Sequence, residues 1–299
     1  MSSSRHYNDA VSFRQALEDR LRKRALSKGE DLQRLRQQVV FDRFVTRIQY
    51  DGVNRWILKG GHALELAIGS VRATRDIDLA LNISIGRGSD NHVTLQRMLQ
   101  QAASRSAGDW LEFQVGESMM DLDGPLYGGE RFPVRAMLGG RAFVTFHVDV
   151  AVGDVLLEPL RVTTGEDWFG FAGIEASPLT TTSLEQQFAE KLHAYTMLRA
   201  GTRDNSRVKD LVDMTLLLET GYLDPEGVAA AVVATFGHRN SHPTPETLPD
   251  PPVSWKKPYA AMAAACHIDV DIAAADRVGG YYRRIVTMIA ATKLGTRTR

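Results

Sequence analysis

From Asp9 to about Tyr50 the chain is rich in Leu, Arg, Gln and Glu and carries no Gly or Pro apart from Gly29, which predicts two helices broken near KGED. The pattern then shortens. RWILKGG reads as a short strand ending in a glycine turn, HALELAIG as a short helix and DIDLALNI as a strand. Residues 92–105 return to helical spacing, and WLEFQV, RFPVRAML and RAFVTFHVDVAV supply further strands. Helices alternating with strands, followed by strand-rich sequence, predict an α/β (α+β) mixed sheet with helices packed on it.

From Thr180 onward strands largely disappear. TTSLEQQFAEKLHAYTMLRA opens with a capping-box pattern, Thr182 to Glu185, and RVKDLVDMTLLLET forms a second helix after the polar turn GTRDNS. Six of the eleven prolines lie between Pro243 and Pro258, so an irregular stretch is expected there before a final helical region. The expected organisation is a helical segment over 1–50, a catalytic body over 51–178 and a helical domain over 179–299.

Composition narrows the classes. A chain of 299 residues, 43% hydrophobic and 24% charged, is long enough for one large or two ordinary cores, which excludes disordered and fibrous proteins. A single cysteine, Cys266, excludes an intramolecular disulfide and a cysteine zinc cluster. The start MSSSRHYNDA lacks the apolar stretch of a signal peptide, and no window approaches the roughly 20 apolar residues of a membrane span; a cytoplasmic protein without membrane contact is expected. Net charge is zero but uneven: residues 1–60 hold 13 Lys/Arg against 7 Asp/Glu, and from Arg277 onward there are six Lys/Arg and no acid. Solvated helix surface and a contact surface for a polyanion such as nucleic acid both fit that distribution.

The chemistry concentrates in LKGGHALELAIGSVRATRDIDLALN. Asp76 and Asp78 stand at i and i+2 of a strand, so both carboxylates project from one face and call for a cation between them. Gly60 and Gly61 lie between a strand and a short helix, where bare backbone N–H groups and the helix N-terminus can hold phosphate oxygens. Fourteen residues separate Gly61 from Asp76, enough for the helix to run out and the chain to return as a neighbouring strand. In FVTFHVDVAVGD, Asp149 shares a strand face with His147, opposite the apolar set Phe146, Val148 and Val150. Three carboxylates can bind two magnesium ions, the arrangement that clamps attacking and leaving oxygens in nucleotidyl transfer.

Taken together, KGG, a short helix, RDIDLAL, Asp149, EKLHAY and RVKDLVD resemble the AbiEii-type nucleotidyltransferases, toxins of type IV toxin–antitoxin pairs that include the mycobacterial MenT enzymes. The resemblance covers about residues 53–219. It implies the DNA polymerase β-like nucleotidyltransferase fold, Mg2+ as cofactor, a nucleoside triphosphate as substrate, RNA as acceptor with the 3′ end of tRNA foremost, a block of translation, and a cognate antitoxin as partner. By it Asp76 and Asp78 are metal ligands; Asp149 joins them as the third candidate ligand, and Lys59, Gly60, Gly61, His62 and Thr74 are the candidate phosphate contacts. Families of this fold often follow the motif glycine with Ser or Thr, whereas His62 stands here; Gly69-Ser70 is too near Asp76 to substitute, and Thr74 offers a hydroxyl two residues before Asp76.

The helical domain adds a clue. Leu184, Phe188, Leu192, Tyr195 and Leu198 form one stripe at ~100° per residue, and Lys191 falls near its middle, where an ammonium either reaches out to solvent or meets an anion between the two domains. By the resemblance it contacts the triphosphate. Asp210 and Asp213 lie on a helix apolar almost all round and need partners: Arg203, Arg207 or Lys209 in a structural reading, Lys191 or the substrate in a catalytic one. His193 falls opposite Leu184 and is expected at the surface. No Walker loop, GxGxxG fingerprint or nucleophile elbow occurs. Two other readings stay open: transfer to a small molecule or protein, and a nucleotide-binding module without activity.

Overall fold

The computed structural model describes residues 7–69, 74–85, 91–121, 128–197 and 207–297. The chain divides into two compact units: the first takes residues up to Leu66, Ala73–Asp154 and Arg161–Thr181, and the second takes Thr182–Arg299 with two short segments, one of them Val155–Leu160. No helix among the described residues is long and apolar enough to cross a membrane.

The first unit opens with α1 (Ala10–Lys28) and α2 (Leu32–Ile48). The Asp9 carboxylate accepts from the N–H groups of Val11 (2.9 Å) and Ser12 (2.8 Å) to start α1, and Gly29 ends it at φ 67°. Asp31 then accepts from the Arg34 N–H at 2.7 Å to start α2. The break expected near KGED is thus a glycine stop followed by an aspartate start.

There follow β1 (Trp56–Lys59), α3 (Gly60–Ile68), β2 (Asp76–Leu81), α4 (Asn91–Ala103), β3 (Leu111–Val115), β4 (Met120–Asp121), β5 (Gly129–Leu138), β6 (Arg141–Val152), β7 (Arg161–Thr164) and β8 (Pro178–Thr181). They form one mixed sheet in the order β3-β5-β6-β2-β1-β8-β7, with β4 also paired to β5. The pairs β2–β6 and β1–β8 are parallel; the others are antiparallel. The helix α2 covers one face: Phe41 and Phe44 pack on Phe146 of β6, with ring centres 5.0 and 5.5 Å apart, and Phe44 also packs on Phe113 of β3. Because strand side chains alternate, His147 and Asp149 point to the opposite face.

Two devices fix this layer. Asp109, with no exposed side-chain surface, accepts from Arg43 Nε at 2.6 Å and from Arg47, tying α2 to the start of β3. The outer edge of β3 is closed by side chains: Gln100 donates to the Phe113 carbonyl (3.0 Å) and accepts from the Val115 N–H (2.7 Å), while Gln96 and Arg47 donate to the carbonyls of Val115 and Leu111, both at 2.9 Å.

The second unit is helical: α5 (Leu184–Thr196), α6 (Val208–Glu219), α7 (Pro225–Arg239), α8 (Lys256–Ala265) and α9 (Ala275–Arg297). Three details differ from the sequence reading. The cap of α5 is Ser183, whose hydroxyl accepts from the Gln186 N–H at 3.1 Å, rather than Thr182. Pro258 lies in the first turn of α8, where its missing N–H has no intrahelical partner to lose, so the irregular stretch ends before it. His193 is fully buried, because α7 packs on the face of α5 away from Leu184; its ring lies 4.9 Å from that of Phe236 and its Nε2 is 2.9 Å from Ser241 Oγ. Ser70, Leu198, Arg203 and the GTRDNS turn lie outside the described residues.

Replacing Asp109 by Ala leaves two buried guanidinium groups without their carboxylate. A loss of about 3–5 kcal/mol in unfolding free energy is expected, measured by urea denaturation; a loss below about 1 kcal/mol would show that the pair does not anchor α2.

Candidate active site

The glycine turn, the two strand aspartates and the third acid meet on the sheet face that α2 leaves free. In the β2–β6 register Asp76 lies beside His147 and Asp78 beside Asp149; in the β1–β2 register Lys59 lies beside Asp78. Like charges directly opposite on neighbouring strands repel, and the compensating cation comes from a position that the sequence reading did not select. Arg131 of β5 pairs with Asp149 in register and donates to both of its oxygens, Nε to Oδ1 and Nη2 to Oδ2, each at 2.7 Å. The same Nη2 reaches Asp76 Oδ2 at 3.4 Å. Hydrogen bonding to Asp149 pushes the guanidinium pKa further up from its ordinary value. His147 Nδ1 lies 3.4 Å from Asp76 Oδ1.

Gly60 is required twice. Its φ is +66°, and a Cβ built on it would fall 2.8 Å from the Asp78 Cβ and closer still to that carboxylate. The turn therefore has no room for a side chain while Asp78 keeps its place. Gly61 is buried in the first turn of α3. Lys59 pairs with Asp154, at the end of β6, in a largely buried contact. Thr74 donates its hydroxyl to the Asp76 carbonyl at 3.2 Å.

His62 faces inward. It is 1% exposed, with Nε2 3.1 Å from Asp42 Oδ1 and Nδ1 3.5 Å from Glu65 Oε2. Asp42 also accepts from Trp168 Nε1 (2.6 Å), and Glu65 from Arg34 (3.0 Å) and Gln38 (2.8 Å). Burial pulls the imidazole pKa down, but the hydrogen bonds and charges of the two carboxylates outweigh it and push it up to about 9. Where related motifs carry a hydroxyl, this chain has a buried imidazolium that pins the start of α3 to α2.

In the helical unit Lys191 Nζ lies 2.9 Å from Asp213 Oδ2 and 3.5 Å from Asp210 Oδ1, and Arg207 donates to Asp210 Oδ2 at 3.2 Å. Both aspartates are buried and are paired with these two cations.

The family described as "Nucleotidyl transferase AbiEii toxin, Type IV TA system" matches residues 43–279. The chain belongs to that family. Membership carries nucleotidyl transfer and a toxin role, with a nucleoside triphosphate as substrate and an antitoxin as partner. Among solved structures, JHP933 from Helicobacter pylori is 16% identical with a TM-score of 0.48, covering 90% of this chain and 98% of its own. A presumed nucleotidyltransferase from H. pylori is 15% identical with a TM-score of 0.44, covering 86% and 96%. No curated protein matches the sequence.

Divalent metal is usual in nucleotidyltransferases, and the donor set suits it: Asp76, Asp78 and Asp149 offer hard oxygen ligands on two paired strands. Among the described residues, however, no three His, Cys, Asp or Glu side chains converge closely enough to hold an ion. Asp149 is turned onto Arg131. The three acids thus fit a hard cation in kind, with one of them engaged by a resident guanidinium.

Two outcomes are expected. In Gly60→Ala the new methyl displaces the Asp78 carboxylate, so nucleotidyl transfer should fall at least about 100-fold, an estimate for a misplaced reacting group, with urea unfolding still cooperative; wild-type turnover would remove the steric requirement. For His62, whose folded pKa lies above the unfolded 6.5, the stabilisation is complete below pH 6.5 and is lost as pH rises through 9. Unfolding free energy should therefore drop between pH 6.5 and 9.5 by roughly 3 kcal/mol more in the wild type than in His62→Gln; parallel profiles would place the imidazolium elsewhere.

Proposed function

We propose that this toxin transfers a nucleotide from a nucleoside triphosphate to the 3′ end of an RNA, with tRNA as the acceptor that stops translation. The observation that carries the reading is the register that sets Asp78 beside Asp149, with Asp76 on the same face and Gly60 pressed against Asp78, in a chain of a nucleotidyltransferase family. Magnesium bound by Asp76, Asp78 and Asp149 would supply charge neutralisation at the phosphoryl group under attack. The backbone N–H groups of Gly60 and Gly61 at the start of α3 would receive the phosphate oxygens. Asp154 holds Lys59 at the end of β1 as a phosphate contact, and in the helical unit Lys191 is paired with Asp210 and Asp213. The acceptor hydroxyl attacks the α-phosphorus, the bond to the bridging oxygen breaks, pyrophosphate leaves, and Asp149 takes the hydroxyl proton.

The distribution of arginines refines where the acceptor lies. On α1 and α2 Arg22 pairs with Glu18 and Asp19, Arg24 with Glu30 and Glu166, Arg34 with Glu65, Arg36 with Glu18, and Arg43 and Arg47 with Asp109. Arg20 stacks over Phe171, its guanidinium carbon 4.0 Å from the ring centre. Much of the N-terminal positive charge is therefore answered inside the unit. Arg283 and Arg284 are exposed on α9, and we place the phosphodiester contact there.

The purified toxin, given each labelled triphosphate in turn with total cell RNA and protein, should label RNA at its 3′ end; label in protein or in a small molecule alone would overturn the RNA acceptor. Asp76→Ala and Asp78→Ala should each abolish labelling, as loss of several kcal/mol of charge stabilisation requires, and remain folded. Full activity in either would remove the site. Reversing Arg283 and Arg284 to Glu should weaken RNA binding and flatten its salt dependence by about 0.7 in log–log slope for each phosphate no longer neutralised; an unchanged slope would take the acceptor off α9.

A further inference from the structure

The carboxylates of the sheet face already have a cation, and its position is set by the backbone. The two-residue turn Gly139–Gly140 joins β5 to β6, and extending its pairing, Leu138 with Arg141, without interruption would bring Glu130 opposite Asp149. A bulge between Ala136 and Met137 shifts the register by one, since Ala136 pairs with Val144 while Met137 pairs with Ala142. Beyond it Arg131 faces Asp149. One extra residue thus exchanges a repelling carboxylate for a guanidinium that grips Asp149 with two parallel 2.7 Å bonds and leans on Asp76 at 3.4 Å.

We propose that Arg131 is a resident counter-cation that competes with the divalent ion, so that the site loads only when the guanidinium releases Asp149. The inference rests on the reading of Asp76, Asp78 and Asp149 as the ion's ligands. A bidentate arginine–carboxylate pair is among the stronger polar contacts, and it engages both oxygens of Asp149. The arginine side chain is 30% exposed, so release is a rotamer change toward solvent rather than an opening of the core. A purely structural cross-strand pair makes the opposite forecast: its removal would leave the ion's affinity unchanged or lower it, by loosening the strands that carry the ligands.

The test uses Mn2+ alone, without nucleotide, binding to the full chain, with free ion read by electron paramagnetic resonance. Arg131→Ala should bind Mn2+ about tenfold or more tightly than wild type, the size set by the removal of a charge-assisted bidentate pair. Arg131→Lys keeps the charge but not the fork and should fall between the two; should Arg131→Ala fail to fold, the lysine variant decides by the same criterion. Equal or weaker Mn2+ binding in a folded variant overturns the competition and leaves the nucleotidyltransferase reading intact. If neither wild type nor variants bind Mn2+, while Asp76→Ala still abolishes transfer, both the competition and the assignment of these acids as ion ligands are overturned.

Discussion

Two carboxylates facing each other across a parallel strand pair are the constraint on which the rest of the first unit depends. Asp78 beside Asp149 is repulsive, and the register that produces it is held from the far side of the sheet. Phe41 and Phe44 grip Phe146, so a slip of one residue in β6 would drive Asp149 into the aromatic layer and expose Val148 in its place. The Asp109 pairs with Arg43 and Arg47 hold α2 where those rings can act. Packing on one face therefore keeps charges together on the other.

Much of this was legible in the chain itself. Period-two runs marked the strands, period-3.6 runs marked the helices, and DID after a glycine turn pointed to the paired carboxylates. Arg131 was not legible, because hairpin counting from Gly139–Gly140 assumes uninterrupted pairing and one bulged residue reverses which of Glu130 and Arg131 meets Asp149. His193 escaped for a different reason. A helical wheel tells which residues share a face but not how many faces are covered, and α5 is packed on more than one. His62 was expected among the phosphate contacts, yet nothing local to GGH reveals that Asp42, twenty residues earlier, waits on α2 to receive it.

Charge placement separates two kinds of arginine that composition counts alike. Most of those of α1 and α2 answer acids within the same unit, and Arg14 and Arg20 bond carbonyls there, so their excess over the acids of that stretch describes how the helices are fastened. On α9, Arg277 pairs with Glu219 and Asp269, whereas Arg283 and Arg284 are exposed on a stretch that holds no acid. A formal net charge of zero conceals this division.

The closed edge of β3 also governs what the sheet can join. Phe113 and Val115 present their outward carbonyls and an N–H to the amides of Gln96 and Gln100, so an incoming strand finds these positions already occupied. It would have to strip glutamine amides from the backbone before gaining a single bond of its own. This side of the sheet therefore carries a margin that resists edge-to-edge association with a second copy of the chain.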